Sequence, residues 1–390
     1  MTFPKDFTWG GGVSPSRAWG PSTASDQANF APSANQDVTG QSLGWPAQMA
    51  DDLGLLANLG MNAIRLAFDW SRVEPNPGSI NTEAVENLRL AASLAHQHGL
   101  KVWGCLHDWD LPGWFSVDER GWEDEKSRNY FWARYVETAG ELFGDLVHGW
   151  IPNFEPNRWS LAKASAKSLE AALLANIDAA LRLKTPGTPV ASAHWLVPAF
   201  AARVTPDLPP SPEAEVLARH FDAQNLGCWL RLIREGTLEV PGRAPIEMTG
   251  AIDAFDIVGF TYRHAVAVRG DGALLPYPQN LAVGHDGTVP WPEGFAISLH
   301  RLVDEIGERT LSAVAIGAMG TSSQGAQNLR DVLALAADAV GDGVNLDGLW
   351  FENPIGSVDS PPTGLLDADR SPSEAGELWS SVAHGDSVPS

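Results

Sequence analysis

Amphipathic helices alternate with short apolar segments along this chain, and this alternation constrains the fold more than any other sequence feature. Over residues 48–107 the order is QMADDLGLLANLG, MNAIRLAF, AVENLRLAASLAHQHG and LKVWGCLH. The first and third segments have helical periodicity, and each ends at a glycine, Gly60 or Gly99, where a helix commonly takes its C-terminal cap. The second and fourth are typical of strands that are buried on both faces. Two helix-strand units therefore follow one another.

The same alternation continues to the end of the chain. Later apolar segments are HGWIPNF, VASAHW, DIVGFTY, LSAVAIGAMG and LDGLWFE, with helical patterns before and between them. Eight short strands separated by helices predict an α/β protein, a closed (β/α)8 TIM barrel that residues 1–390 form as a single domain. A doubly wound open sheet is disfavoured, because no glycine-rich phosphate loop follows the first strand.

In a barrel of this kind the chemistry lies at the carboxyl ends of the strands. The expected strand ends are near Gly12, Asp69, Asp108, Glu155, His194, Tyr262, Ala318 and Glu352. Four of these eight residues are carboxylates, which indicates acid-base chemistry. Several of the 16 tryptophans, including Trp350, are also near the strand ends. Their rings offer flat apolar faces on which a sugar can stack, although a core position is also common for tryptophan.

Composition restricts the possible partners. The formal net charge of -22 disfavours nucleic acids and anionic membrane surfaces, because like charges repel. The segment MTFPKDFTWGGG contains no apolar run of signal-peptide length, and no segment approaches the roughly 20 residues of a membrane span. We therefore expect a cytoplasmic protein with a small-molecule substrate and no membrane or nucleic-acid partner. The oligomeric state is left open.

The sequence predicts no cofactor and no metal. Cys105 and Cys228 are far apart and form no zinc-ligand pattern, so two buried thiols are expected. His107, Asp108 and Asp110 are close in sequence, but consecutive residues of a strand point to opposite faces. Their spacing therefore favours no particular ion.

A series of short motifs adds a family resemblance. The motifs are FPKDFTWGGG, SPSRAWG, RLAFDWSRVEPNPG, HDWDLPGW, WIPNFEPN, IVGFTYR, WPEGF, VAIGAMG, DGVNLDGLWFENP and TGLLDADR. In this order they resemble glycoside hydrolase family 1, the retaining β-glycosidases, over nearly the whole chain. The resemblance implies a TIM barrel that hydrolyses β-linked glycosides. It implies that Glu155 is the general acid/base and that Ala318 stands at the position of the nucleophile, which a methyl group cannot replace.

Other positions depart from the family where it contacts its sugar. By the resemblance, Arg17 replaces a glutamine, Asp108 a histidine, Phe154 an asparagine and Glu352 a tryptophan. Arg65 and Tyr262 match a family arginine and a tyrosine that supports the nucleophile. These residues, with Trp350, are the expected substrate-binding residues. Arg17 favours an acidic or otherwise modified sugar, since a guanidinium pairs with a carboxylate through two hydrogen bonds.

Three interpretations of Ala318 follow. In the first, Ala318 is an engineered substitution in a retaining β-glycosidase, whose two carboxyl groups would be roughly 5 to 5.5 Å apart. In the second, the chemistry has changed: Glu155 remains an acid, and Asp108 or Glu352 acts as the base of an inverting hydrolysis, an elimination or a rearrangement. In the third, the protein is a pseudoenzyme that binds a ligand without turnover.

Overall fold

The computed structural model describes residues 2–29, 42–161, 163, 165–205, 207–284, 287–307, 309–315, 322–356 and 364–389. Eight parallel strands form its central sheet. In chain order they are β1 Thr8–Val13, β2 Ala63–Ala67, β3 Lys101–His107, β4 Gly149–Asn153, β5 His194–Leu196, β6 Val258–Tyr262, β7 Leu311–Ala315 and β8 Leu346–Glu352.

The sheet closes on itself. The hydrogen-bonded order is β4-β3-β2-β1-β8-β7-β6-β5, so the first and last strands of the chain are neighbours. On the other side, the amide of Trp150 in β4 donates to Pro189 at 2.9 Å, and the amide of Ala191 donates to Trp150 at 2.8 Å. These bonds join β4 to the segment that leads into β5. The predicted (β/α)8 barrel is confirmed.

Helices cover the outside of the barrel and connect its strands. The α-helices are Pro15–Trp19, Met49–Asn58, Trp70–Val73, Thr82–Gln97, Glu125–Ser127, Ala133–Phe143, Pro156–Leu161, Ala166–Leu183, Pro212–Asp222, Cys228–Glu235, Pro292–Ile306, Ser322–Gly341 and Glu374–Ala383. Short 3-10 helices are Asp26–Asn29, Gly121–Glu123, Gly144–Leu146 and Thr249–Asp253, and π-helical turns are Trp114–Asp118, Arg128–Trp132 and Ala223–Gly227. No helix in these described ranges is both long and apolar enough to cross a membrane.

Helix Thr82–Gln97 illustrates how the sequence pattern produces the packing. Its buried residues include Val85, Leu88 and Ala92, which recur at helical spacing and so face the sheet together. The helix begins at Asn81, whose side chain accepts a hydrogen bond from the amide of Ala84. Shortly after it ends, Gly99 has a φ of 78°, a left-handed conformation in which glycine carries no steric penalty. The predicted glycine cap is confirmed.

Two smaller sheets lie outside the barrel. One joins Ala199–Ala201, Ala265–Val268 and Leu274–Tyr277 beyond the carboxyl ends of β5 and β6, and the other pairs Thr237–Leu238 with Ile246–Glu247. The first extends the rim of the barrel at the end where a catalytic site is expected.

Apolar side chains fill the inside of the barrel below its carboxyl end. They form one buried cluster of Ala63, Ala67, Trp103, Cys105, Ile151, Phe154, Ala191, Ala193 and Trp350. Trp350 is only 4% exposed, and its ring occupies the space that a side chain at Gly10 would need. Trp350 therefore packs in the barrel core, which differs from its expected role as a substrate-binding residue. Cys105 and Cys228 are both buried and unpaired, as expected.

Candidate active site at the carboxyl ends of the strands

Arg65 of β2 lies at the centre of a buried ion-pair network. Its Nη1 donates to Asp108, and its Nη2 donates to the two carboxylate oxygens of Glu352 at 2.9 and 2.8 Å. The ring of Phe154 lies 3.8 Å from its guanidinium carbon. Gly12 of β1 makes this close approach possible, because a Cβ atom there would lie 2.8 Å from Arg65 Nη2. Four of the predicted site residues therefore meet at one point.

Glu155 follows β4 and is held by a second set of contacts. Its Oε2 is 2.7 Å from Arg158 Nη1, and its Oε1 is 2.9 Å from Arg263 Nε. The hydroxyl of Thr261 also donates to Oε1, at 2.7 Å. The carboxylate is fully buried, whereas Arg158 and Arg263 keep 27% and 28% of their side-chain surface exposed. We call Glu155, Arg158 and Arg263 the arginine clamp.

The clamp controls the charge of Glu155. Burial by itself raises the pKa of a carboxyl, but here the positive charges of Arg263 and Arg158, with hydrogen bonds from Arg263 and Thr261, lower the pKa of Glu155 to about 2. A general acid must carry a proton at the working pH, and a glycosidase acid therefore needs a raised pKa. At neutral pH this favours the ionised form of Glu155 in the free protein, and its expected role as general acid/base stays a prediction.

Glu352 is affected in the opposite direction. Burial raises its pKa, Arg65 lowers it and the negative charge of Asp108 raises it, with a net increase over the ordinary glutamate value. Two carboxyl groups at the same end of the barrel thus have pKa values that their surroundings move apart. Such a pair is the usual arrangement for dividing acid and base roles.

Backbone strain concentrates at the same strand ends. Trp109, Glu155 and Asn353 have positive φ values of 74°, 49° and 52°, in the left-handed region that side-chain-bearing residues seldom occupy. They follow β3, β4 and β8 respectively. Each such conformation costs of order 1 to 3 kcal/mol and is found preferentially at functional sites.

Alternation along β6 decides which of its residues face the site. Thr261 and Arg263, two residues apart, both bond Glu155. Tyr262 points to the opposite side, where its hydroxyl donates to the carbonyl of Trp291 at 2.7 Å and fills the space beside Gly294. Position 318, the nucleophile position that Tyr262 is expected to support, lies outside the described residues, so that role stays a prediction.

Arg17 contacts the segment that follows β8. Arg17 is 8% exposed, and its Nη2 donates to the carbonyl of Ile355 at 2.7 Å, so it holds the segment that follows β8.

Ala318 belongs to residues 316–321, which lie outside the described part of the chain. The expected vacancy at the nucleophile position thus stays a prediction.

Some polar groups of the site had no clear sequence signal. Arg158 and Arg263 belong to no motif of their own, although Arg158 is three residues after Glu155 and Arg263 directly follows Tyr262.

His107 and Asn153 are neighbours in the β3-β4 register and are fully buried. Across the described residues, neither side chain has a hydrogen-bond partner for its nitrogen or oxygen atoms. Burial also lowers the pKa of His107 to about 3, so its ring is neutral.

Acidic residues near β3 do not form a metal centre. Burial raises the pKa of Asp26, of Asp69 and of Asp110, and the neighbouring aspartates raise that of Asp110 further. Within the ranges that the structure describes, no three histidine, cysteine or carboxylate side chains are arranged to hold a metal ion.

Parts of this chain match known proteins in sequence. The sequence pattern of glycosyl hydrolase family 1 matches residues 1–167, which include Arg65, Asp108 and Glu155. The match covers less than half of the 390 residues. A β-glucosidase 34 of Oryza sativa subsp. japonica is 33% identical over 108 residues, 27% of this chain and 21% of that protein. β-Glucosidase A of Acetivibrio thermocellus is 27% identical over 184 residues, 41% of this chain and 38% of that protein.

Solved structures resemble this chain in fold over nearly its whole length. A psychrophilic β-glucosidase from Micrococcus antarcticus superposes with a TM-score of 0.80 over 98% of both chains, at 20% sequence identity. This level of identity shows the barrel fold and no more. In sequence, the chain matches only about a fifth to two fifths of the length of the two curated relatives above.

Proposed function

We propose that this chain binds a β-linked glycoside at the carboxyl ends of the barrel strands and acts on its glycosidic bond. The family 1 sequence pattern supports the substrate class. The observation that carries the proposal is the opposite displacement of two pKa values at one site, that of Glu155 down to about 2 and that of Glu352 upward. A glycosidic bond is cleaved by protonating the leaving oxygen, and in such a pair one carboxyl binds a proton more readily than the other.

The roles differ from those that the resemblance implies. We assign the proton donor to Glu352, because burial and the charge of Asp108 raise its pKa against the opposing charges of Arg65 and Arg263. Glu155 stays ionised and orients Arg158 and Arg263 around the bound sugar. Arg65, with both Asp108 and Glu352 as partners, keeps the proton donor in place.

Ala318 determines how the anomeric carbon is attacked. If the position carries an engineered alanine, the parent enzyme had a carboxylate there and retained the anomeric configuration through a glycosyl-enzyme. With alanine, a water molecule or an added anion attacks the anomeric carbon as the protonated leaving group departs, and the proton that an attacking water loses restores the one that Glu352 donated. Introducing a carboxylate at position 318, or adding an external anion, distinguishes these two routes.

The test is hydrolysis of a panel of nitrophenyl β-glycosides by the given chain and by Ala318→Glu, each with and without azide. The substitutions Glu352→Gln and Glu155→Gln are also introduced, one at a time, into both forms, and the same assays are repeated. We expect the glutamate form, or the alanine form with azide, to hydrolyse at least one glycoside. Glu352→Gln should then reduce kcat on poor leaving groups more than on good ones, since the latter need less protonation.

A different outcome would assign the roles differently. If Glu155→Gln, and not Glu352→Gln, removes the dependence on the leaving group, Glu155 is the acid and our assignment is wrong. If no form hydrolyses any glycoside, the proposed reaction is refuted.

A second candidate function is ligand binding without turnover. The arginine clamp favours it, because a carboxyl with a pKa of about 2 is a weak base and, being ionised at neutral pH, has no proton to donate. In that case glycosides would bind the given chain in calorimetry, and neither Ala318→Glu nor azide would produce hydrolysis.

A further inference from the structure

The arginine clamp has more positive than negative charge. Arg158 and Arg263 carry two positive charges and share one carboxylate, Glu155. The nearby carboxylates Asp108 and Glu352 are both hydrogen-bonded to Arg65. The charge of Glu352 also acts on both arginines, and that of Asp108 on Arg263, but among the described residues Glu155 is the carboxylate that is hydrogen-bonded to either of them.

The two guanidinium groups also retain unused donors. A guanidinium has five N–H bonds in a planar fork. In the described structure, Arg158 donates through Nη1 and Arg263 through Nε, each to Glu155 alone. Since each side chain is more than a quarter exposed, donors remain on the side that is open to solvent.

Aromatic rings hold Arg158 in position. Its guanidinium carbon lies 4.6 Å from the centre of the Trp109 ring and 5.5 Å from that of Trp195. Stacking of this kind fixes the plane of the fork and restricts its hydrogen bonds to directions within that plane. A planar or tetrahedral oxyanion matches such a fork, because it accepts two parallel hydrogen bonds.

We infer that Arg158 and Arg263 bind an oxyanion substituent of the substrate, a carboxylate, phosphate or sulfate group, next to Glu155. This inference rests on the proposed function for the sugar part of the ligand and adds its charge. It assigns specificity for acidic glycosides to the clamp itself. Arg17, the arginine that sequence analysis connected with an acidic sugar, instead bonds the carbonyl of Ile355.

The experiment measures binding, so that it does not depend on turnover. Calorimetry at low ionic strength compares methyl β-glucoside, methyl β-glucuronide, glucose 6-phosphate, glucose 6-sulfate and inorganic phosphate on the given chain. We expect at least one charged sugar to bind ten times or more tighter than the neutral glucoside, with an affinity that falls as salt is added. Comparing the glucuronide, the 6-phosphate and the 6-sulfate shows whether the clamp prefers a carboxylate, a phosphate or a sulfate.

Variants connect the binding to the clamp. Arg263→Gln should reduce affinity for the charged sugar at least tenfold more than it reduces affinity for the neutral glucoside. Glu155→Gln removes the internal counterion and should strengthen anion binding, which a merely destabilising change would not do. Arg134→Gln is the matched control, because Arg134 is also about one third exposed, pairs with the buried Glu74 and lies over two aromatic rings.

The possible results separate the two proposals. Equal binding of charged and neutral sugars, or charged-sugar binding that Arg263→Gln does not weaken, overturns the anion inference and leaves the glycoside site standing. Selective binding of a charged sugar without hydrolysis by any form supports the inference and refutes the proposed reaction. Absence of binding by every charged ligand, with correctly folded protein, overturns the inference.

Discussion

The charge of Glu155 can be tested through its contribution to stability. Its pKa is lowered from the ordinary value of 4.5 to about 2, so the folded state holds the ionised form more tightly than the unfolded chain does. A group of this kind stabilises the fold fully above pH 4.5, and its contribution is lost as the pH falls through about 2. The difference corresponds to about 3 kcal/mol at neutral pH, of which about 2 kcal/mol is lost by pH 3.

The perturbation is Glu155→Gln, which keeps the size of the side chain and removes its titration. Urea unfolding of both proteins at several pH values from 7 to 3 gives the difference in their free energies of unfolding. We expect this difference to decrease by about 2 kcal/mol between pH 7 and pH 3. A control is Glu235→Gln, which breaks an exposed pair with Arg231 and should change stability by no more than about 1 kcal/mol.

A difference between the two proteins that stays constant from pH 7 to pH 3 would refute the reasoning. It would mean that Glu155 titrates alike in the folded and unfolded chain, and that the arginines do not control its charge.

Other substitutions test the rest of the site. Arg65→Met should destabilise the protein by about 3 to 5 kcal/mol in urea, because it leaves Asp108 and Glu352 buried without a cation, and an unchanged midpoint would contradict the network. Gly12→Ala should cost about 1 to 3 kcal/mol through overlap with Arg65, and a thermal shift under one degree would argue against that contact. Tyr262→Phe should lower the free energy of unfolding by about 1 kcal/mol, because the hydrogen bond to Trp291 is lost. Ligand affinity should stay within twofold, and a tenfold loss of affinity would support its expected role in the site. If Glu352 donates the proton, the rate in any active form should decrease as the pH rises through its raised pKa, and a rate that increases there would exclude this role.

Hydrophobic periodicity made the barrel predictable. Each helix and strand is encoded locally, by apolar residues spaced for one face of a helix or grouped for a buried strand. The order of elements then allows few topologies, and the carboxyl ends of parallel strands meet at one end. Local patterns in the sequence are therefore enough to bring Asp108, Glu155 and Glu352 to the same end of the barrel.

Motif matching was less reliable for the direction of individual side chains. Tyr262 and Trp350 have the residue types that a sugar site would use, but Tyr262 packs on the outside of β6 and Trp350 inside the barrel core. A shift of one residue along a strand reverses the face, and no short motif fixes that register. The packing of the neighbouring buried side chains decides the register instead.

The charges of the site depend on contacts between residues far apart in the chain. Arg65 meets Glu352 across 287 positions, and Arg263 meets Glu155 across 108. The sequence by itself determined the barrel and which carboxylates reach its carboxyl end, because these follow from local patterns. Only the tertiary structure decided which arginine pairs with which carboxylate, and hence that the pKa of Glu155 is lowered and that of Glu352 raised, because a pKa is set by burial and by the nearest charges in space.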